Sequence, residues 1–308
     1  MLREMSASST IDPTALDLSA LRLPADAHKG SRGSVGILGG APGMVGAAWL
    51  AGRAALHGGA GRVYVGQMDP AAPVVDPLYP ELMLRRAADL LAGWDPAPTT
   101  VEGIPAADTP DPPRLPLTAL VAGPGMGTAV RAADLLVQAL AVPLPLLLDA
   151  DALNLIARRA DLADRLRGRA PASTILTPHP AEAARLLHQS VEGVQSDRPA
   201  AALALAERYG AIIILKGAGT LVAWPAAPPA IALARNPTGS NRLATAGTGD
   251  VLSGLVGALL ARGLDAPTAA QLGVWVHGRA GEDLPHKRPT ASALILLLAG
   301  ILAAVVDD

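Results

Sequence analysis

What most constrains this chain is a recurring pair: a short, unbroken aliphatic run followed by an alanine-rich segment with helical spacing. Runs at Ser34 to Gly39, Arg62 to Val65, Thr118 to Ala122, Leu144 to Asp149, Thr174 to Thr177 and Ala211 to Leu215 read as strands, several of them continuous in Val, Ile and Leu. A strand apolar on both faces must be covered on both faces, which is the condition of a parallel sheet between helices. Helical segments fit at Gly46 to Leu56, Ala129 to Leu140, Ala181 to Leu187, Arg198 to Arg208, Val251 to Arg262 and Pro267 to Gly281. Strand then helix, repeated, predicts a doubly wound α/β domain. Seven prolines from Pro96 to Pro116 break any pattern and predict a surface excursion rather than a domain boundary.

Composition narrows what such a domain can bind. The chain has 308 residues, 50% of them hydrophobic, enough for one large core. A formal net charge of −2 with 17% charged residues leaves no basic footprint for nucleic acid, so the partner is expected to be a small molecule. The absence of cysteine excludes disulfides and thiolate metal sites. Residues 1–27 lack the basic start and continuous apolar centre of a signal peptide, so a cytoplasmic protein is expected. The run Ala291 to Val306 is nearly all apolar but falls short of the ~20 residues of a membrane span. It predicts a helix buried on every side, part of it against another subunit.

In doubly wound sheets ligands sit beyond the carboxyl ends of the strands. There the chain places two small-residue turns, Gly39-Gly-Ala-Pro-Gly-Met-Val-Gly46-Ala47 and Gly123-Pro-Gly-Met-Gly127. Three polar strand ends follow: Asp149-Ala-Asp151-Ala-Leu-Asn154, Thr177-Pro-His179-Pro-Ala-Glu182 and Lys216-Gly-Ala-Gly-Thr220. The Asp149 group is suited to hydrated Mg²⁺ or to orienting a ligand, although Asp151 equally suits capping the next helix. Two prolines brace His179 and Glu182 and are expected to present them outward. Lys216 and its loop lie where a nucleotide phosphate can sit.

The most informative stretch is Asn236-Pro-Thr-Gly-Ser-Asn-Arg-Leu-Ala-Thr-Ala-Gly-Thr-Gly-Asp250, which runs directly into an apolar helix. Ala246, Gly247 and Gly249 let backbone N–H groups approach an anion, and the helix start adds the positive end of its dipole. A carboxylate here would repel a resting phosphate, so Asp250 suits a base that takes a proton from an attacking hydroxyl. The alternative is that Asp250 simply caps the helix.

Together these motifs resemble the ADP/ATP-dependent NAD(P)H-hydrate dehydratases, members of the ribokinase-like superfamily. The resemblance runs in order from His28-Lys-Gly30 through Gly39-Gly40, Gly46-Ala47, Gly58-Gly-Ala-Gly61, Pro80-Glu-Leu-Met83 and the strand-end motifs above to His277-Gly278. Related kinases typically carry Asn where His179 stands. The chain departs from the family's pattern at Ser31, where an acidic residue is usual, and at Ala246, where glycine is usual.

The resemblance implies a ribokinase-like, mostly parallel sheet with helices on both faces. It implies a single dehydratase domain over 28–308, preceded by an N-terminal extension over 1–27. Such enzymes repair hydrated NADH and NADPH (NADHX and NADPHX), using ADP in bacteria or ATP in eukaryotes, with Mg²⁺. By match to the family, Asp250 is the base and Ala47, Gly127, His179 and Asp250 contact substrate. Lys216, Gly217, Ala218, Gly219, Thr220 and Gly249 take the nucleotide. Ala246, Gly247, Thr248 and Gly249 form the anion hole, and Glu182 holds Mg²⁺ through water. A homotetramer is expected on the same ground. The residues before His28 are too few for an epimerase domain, so a separate epimerase is expected in the same pathway. The nearest alternative is a ribokinase-like small-molecule kinase, such as one for a vitamin precursor.

Overall fold

The computed structural model describes residues 9–23, 26–28, 30–92, 115–225, 231–287 and 289–307. Most of the proline-punctuated stretch from Pro96 to Pro116 lies outside them. Among the described residues the strands are β1 (Ser9–Thr10), β2 (Ser34–Gly39), β3 (Arg62–Gln67), β4 (Met83–Arg86), β5 (Ala119–Ala122), β6 (Leu146–Leu148), β7 (Thr174–Leu176), β8 (Ile212–Leu215), β9 (Leu221–Pro225) and β10 (Ile231–Arg235). They form one sheet in the order β1-β10-β9-β8-β7-β6-β5-β2-β3-β4. From β4 to β8 every neighbouring pair is parallel, and β9 and β10 add an antiparallel edge.

The helices are α1 (Val45–His57), α2 (Ala87–Ala92), α3 (Val130–Ala141), α4 (Ala150–Arg158), α5 (Ala160–Arg167), α6 (Pro180–Leu187), α7 (Val191–Ser196), α8 (Arg198–Tyr209), α9 (Thr248–Ala261), α10 (Ala266–Asp283) and α11 (Ala291–Asp307). They cover both faces, as the aliphatic runs require. Within β6, Leu147 joins the core under α1, α9, α10 and α11, while Leu146 and Leu148 join the core under α3 to α8. Successive side chains point to opposite faces, so three leucines in a row serve two cores.

The helix α9 lies against α1 more closely than a side chain would permit. A Cβ on Gly254 would stand 1.9 Å from the carbonyl oxygen of Ala51. This contact fixes where the first turn of α9 sits relative to the strand ends.

In the segment before His28, β1 pairs with β10, and Ile11, Leu18 and Leu21 are buried in the core. Within the chain α11 buries Ala291, Leu294, Ile295, Leu298 and Leu302 and leaves Leu296 63% exposed. No helix among the described residues is long and apolar enough to cross a membrane.

Candidate active site

The sheet reverses its winding between β2 and β5, since the chain leaves β2 for β3 on one side and later enters β5 on the other. Loops diverge there and leave a crevice. The two glycine-rich turns meet in it. Gly40 N–H donates to the carbonyl of Pro124 at 3.0 Å and Ala41 N–H to that of Gly125 at 2.7 Å. Ala47, in the first turn of α1, packs behind Gly125. Gly127 lies at the same mouth, but its N–H donates to Asp151 Oδ2 at 2.8 Å, so a ligand can meet only its other faces. That bond also corrects the expectation for Asp151, which orders the Gly127 turn rather than capping α4.

Asp149 is 1% exposed and caps no helix through its side chain. Lys216 Nζ donates to its Oδ1 at 2.9 Å and Ser253 Oγ to its Oδ2 at 2.7 Å. Burial alone would push its carboxyl up, but the ammonium and the hydroxyls of Thr177 and Ser253 hold it below the usual carboxylate range. Ala150, immediately after it, takes the left-handed backbone with φ 47°, strain of the kind held at functional sites.

His179 does not stand free. Its Nδ1 accepts the N–H groups of Ala181 and Glu182 at 3.1 and 3.3 Å, and its own N–H donates to Glu182 Oε2 at 2.8 Å. This reciprocal cap leaves the ring proton on Nε2, which lies 3.3 Å from Glu182 Oε1. Burial and the nearby Lys216 lower the His179 pKa, keeping the ring neutral. Glu182, expected to face outward, is buried at 4% exposure, and Oε2 lies 3.8 Å from Lys216 Nζ. Burial raises its pKa, with Lys216 opposing. A capping box turns the glutamate back onto its own helix start, which explains the reversal.

Helix α9 begins at Thr248, with Gly247 at the cap in the left-handed region at φ 88°. Asp250 therefore lies inside the first turn and is not the cap. The amides of Gly249 and Asp250 have no acceptor among the described residues, as expected at a helix start, whereas Thr248 N–H turns back to Thr245 O at 3.4 Å. The Asp250 carboxylate accepts no hydrogen bond among the described residues. Burial, reinforced by Asp149 and opposed by Lys216, pushes its pKa up to about 7. An unpartnered carboxylate with that affinity for a proton suits general-base work near neutrality.

Beside this turn opens a cavity of about 710 Å³, lined by Lys216 to Thr220, Asn236 to Asn241, Thr248 and Gly249, with Leu252 and Val274 as its apolar floor. All the residues expected to take nucleotide thus border one space. A second hollow of about 780 Å³ lies between α11 and the end of α1 and includes none of the strand-end residues.

Sequence reasoning missed the supports of this arrangement. His277, 9% exposed on α10, places Nε2 2.9 Å from the carbonyl of Thr248. A carbonyl only accepts, so Nε2 carries the proton, and burial pushes the pKa down to about 4. Asn236 Nδ2 donates to Val274 O at 2.9 Å and pins the glycine loop to α10. Asn236 and His277 stand in motifs that the sequence shows, but their contacts with Val274 and Thr248 are not legible there.

The mostly parallel ten-stranded sheet with helices on both faces is of the ribokinase-like class. A ribokinase-like superfamily protein from Enterococcus faecalis shares the fold with a TM-score of 0.72 at 22% identity, over 92% of this chain and 91% of that one. The family model for NAD(P)H-hydrate dehydratase matches residues 35–302, and the chain belongs to that family. It is 39% identical to the ADP-dependent (S)-NAD(P)H-hydrate dehydratase of Neisseria meningitidis over 92% of this chain and 90% of that protein. It is 36% identical to the bifunctional NAD(P)H-hydrate repair enzyme Nnr of Escherichia coli, over 91% of this chain but only 48% of that enzyme's length. The Bacillus subtilis ADP/ATP-dependent NAD(P)H-hydrate dehydratase, crystallised with ATP and Mg²⁺, superposes with a TM-score of 0.73 at 27% identity, covering 92% and 94% of the two chains.

Proposed function

We propose that the protein is an ADP-dependent (S)-NAD(P)H-hydrate dehydratase. The observation that carries the reading is the unpartnered Asp250 carboxylate, its pKa raised to about 7, at the first turn of α9 beside the nucleotide cavity. Asp250 takes the proton of the C6 hydroxyl of the hydrated nicotinamide. The freed oxygen attacks the terminal phosphorus of ADP and AMP departs. The ring nitrogen then expels phosphate from C6, and loss of a proton from C5 restores the dihydropyridine. The products are NAD(P)H, AMP and phosphate.

In this reading the first-turn amides of α9, with Ala246, Gly247, Thr248 and Gly249, stabilise the transferring phosphoryl group. Ala47, Gly127 and His179 position the hydrated ring. Lys216 to Thr220 hold the nucleotide. Glu182 would reach Mg²⁺ through water, and the ion would neutralise charge on the nucleotide phosphates. Residues 28–308 constitute the dehydratase domain and 1–27 its extension. The enzyme works in the cytoplasm as a homotetramer, beside a separate epimerase.

The test is recovery of dihydronicotinamide absorbance when the protein is mixed with hydrated NADH, Mg²⁺ and either ADP or ATP. Nucleotide-dependent recovery supports the reading and identifies the donor. No recovery with folded protein overturns it in favour of a kinase acting on another alcohol.

A further inference from the structure

The loop after β8 carries four carbonyls that converge on a single side chain. Arg198, the first residue of α8, donates from Nη1 to Ala218 O at 2.6 Å and Gly219 O at 3.5 Å, and from Nη2 to Leu215 O at 3.0 Å and Lys216 O at 3.3 Å. No carboxylate among the described residues pairs with it, and its Nε is buried without an acceptor. Burial lowers the Arg198 pKa, and the neighbouring Arg235 lowers it further. A half-buried guanidinium satisfied mainly by main-chain carbonyls contributes little to stability for what it loses in hydration, so its value must lie in what it arranges.

What it arranges is the opposite edge of the loop. In a trans peptide the C=O and the following N–H point in opposite directions. With the carbonyls of Lys216 and Ala218 drawn to Arg198, the N–H groups of Gly217 and Gly219 are turned away from it. Neither N–H has an acceptor among the described residues, and both residues line the 710 Å³ cavity. Gly217 has φ 142° and Gly219 φ 60°, and a Cβ on Gly217 would stand 2.9 Å from Arg198 Nη2.

We propose that Arg198 is the positioning residue of the nucleotide loop: by gathering the carbonyls of Leu215, Lys216, Ala218 and Gly219 it presents the Gly217 and Gly219 amides to acceptor oxygens of the bound nucleotide. This rests on the reading of the cavity as the nucleotide site. Arg198 itself stays behind the loop and touches no ligand. Lysine cannot replace it, because an ammonium is a point donor and cannot span two pairs of carbonyls as the planar fork does.

The experiment is calorimetric titration of the full-length protein with ADP, beside steady-state kinetics, for the parent and Arg198→Lys. Arg198→Lys is expected to raise the ADP Kd and the KM for ADP about tenfold or more, as loss of charge-assisted hydrogen bonds implies. The KM for hydrated NADH and the melting temperature are expected to stay near the parent's. ADP binding within about twofold of the parent, or parallel loss of both KM values with the melting temperature, overturns the proposal. A measurement independent of any variant follows amide exchange in the parent. Gly217 and Gly219 N–H are expected to gain protection when ADP binds, and bound ADP without that protection overturns the proposal equally. A parent that binds ADP but does not dehydrate the hydrate defeats the dehydratase reading and leaves Arg198's role standing. A parent that binds no ADP defeats the cavity assignment and the proposal with it.

Discussion

Lys216 and Asp149, on different strand ends, form an ion pair, Nζ 2.9 Å from Oδ1, with the Asp149 side chain 2% exposed. Removing one partner of a buried pair leaves the other charge uncompensated and destabilises by about 3–5 kcal/mol. Asp149→Asn is therefore expected to lower the unfolding free energy measured by urea titration at neutral pH by an amount in that range, with a lower midpoint. The Asp149 pKa is depressed in the fold, so its stabilisation is present above the unfolded value of 3.8 and is lost as pH falls below it. The variant should lack this acid-side loss. An unchanged midpoint and acid profile would show the pair to be energetically idle.

Asp250 shows the opposite sign. Its pKa is raised from 3.8 to about 7, so the folded state binds the proton more tightly and stability declines as pH rises through that window. The ceiling is about 4 kcal/mol. Asp250→Asn should then melt higher than the parent at pH 8 and differ little at pH 4, while losing about 10²–10⁴-fold in kcat, as loss of a general base implies. In the parent, kcat/KM should fall as pH drops below about 7. A variant that turns over at the parental rate would remove Asp250 from the chemistry.

His277 ties α10 to the start of α9 through the Thr248 carbonyl. Its pKa is lowered from 6.5 to about 4 by burial, so its contribution is present above 6.5 and is lost as pH falls through 4. His277→Gln keeps a donor for the carbonyl but cannot titrate. Between these pH values the parent should lose up to about 3 kcal/mol that the variant does not. Matching pH profiles from thermal melts would refute this.

The repeated aliphatic runs made the sheet legible, because a run such as Leu146–Leu148 has no arrangement but burial on both faces. The glycine turns and Asp250 were legible because few other arrangements leave small residues and a carboxylate at a helix start. Strands β4, β9 and β10 were not, since Met83–Arg86 carries charge and the antiparallel pairing of β9 with β8 and β10 breaks the strand-then-helix repeat. Partners across the sequence were equally hidden. That Ser253 lies under Asp149, or that Lys216 reaches the same carboxylate, depends on approaches that no local pattern encodes.

The same dependence on close approach gives a paired test of helix placement. A Cβ on Gly254 would lie 1.9 Å from Ala51 O, a backbone atom that cannot swing aside, so Gly254→Ala must push α9 off α1. Overpacking of this kind destabilises by about 1–3 kcal/mol or more. Because α9 carries Asp250 in its first turn, the shift should also lower kcat, a displacement near 1 Å being worth about 10²-fold. A Cβ on Gly300, in α11, would instead meet nothing within 4 Å, on an exposed helix face. Gly300→Ala should therefore stabilise by about 0.5–1 kcal/mol through helix propensity and leave kcat untouched. Thermal melts and turnover of the two variants decide the matter: if both behave alike, the contact between Gly254 and Ala51 does not set the position of the catalytic turn.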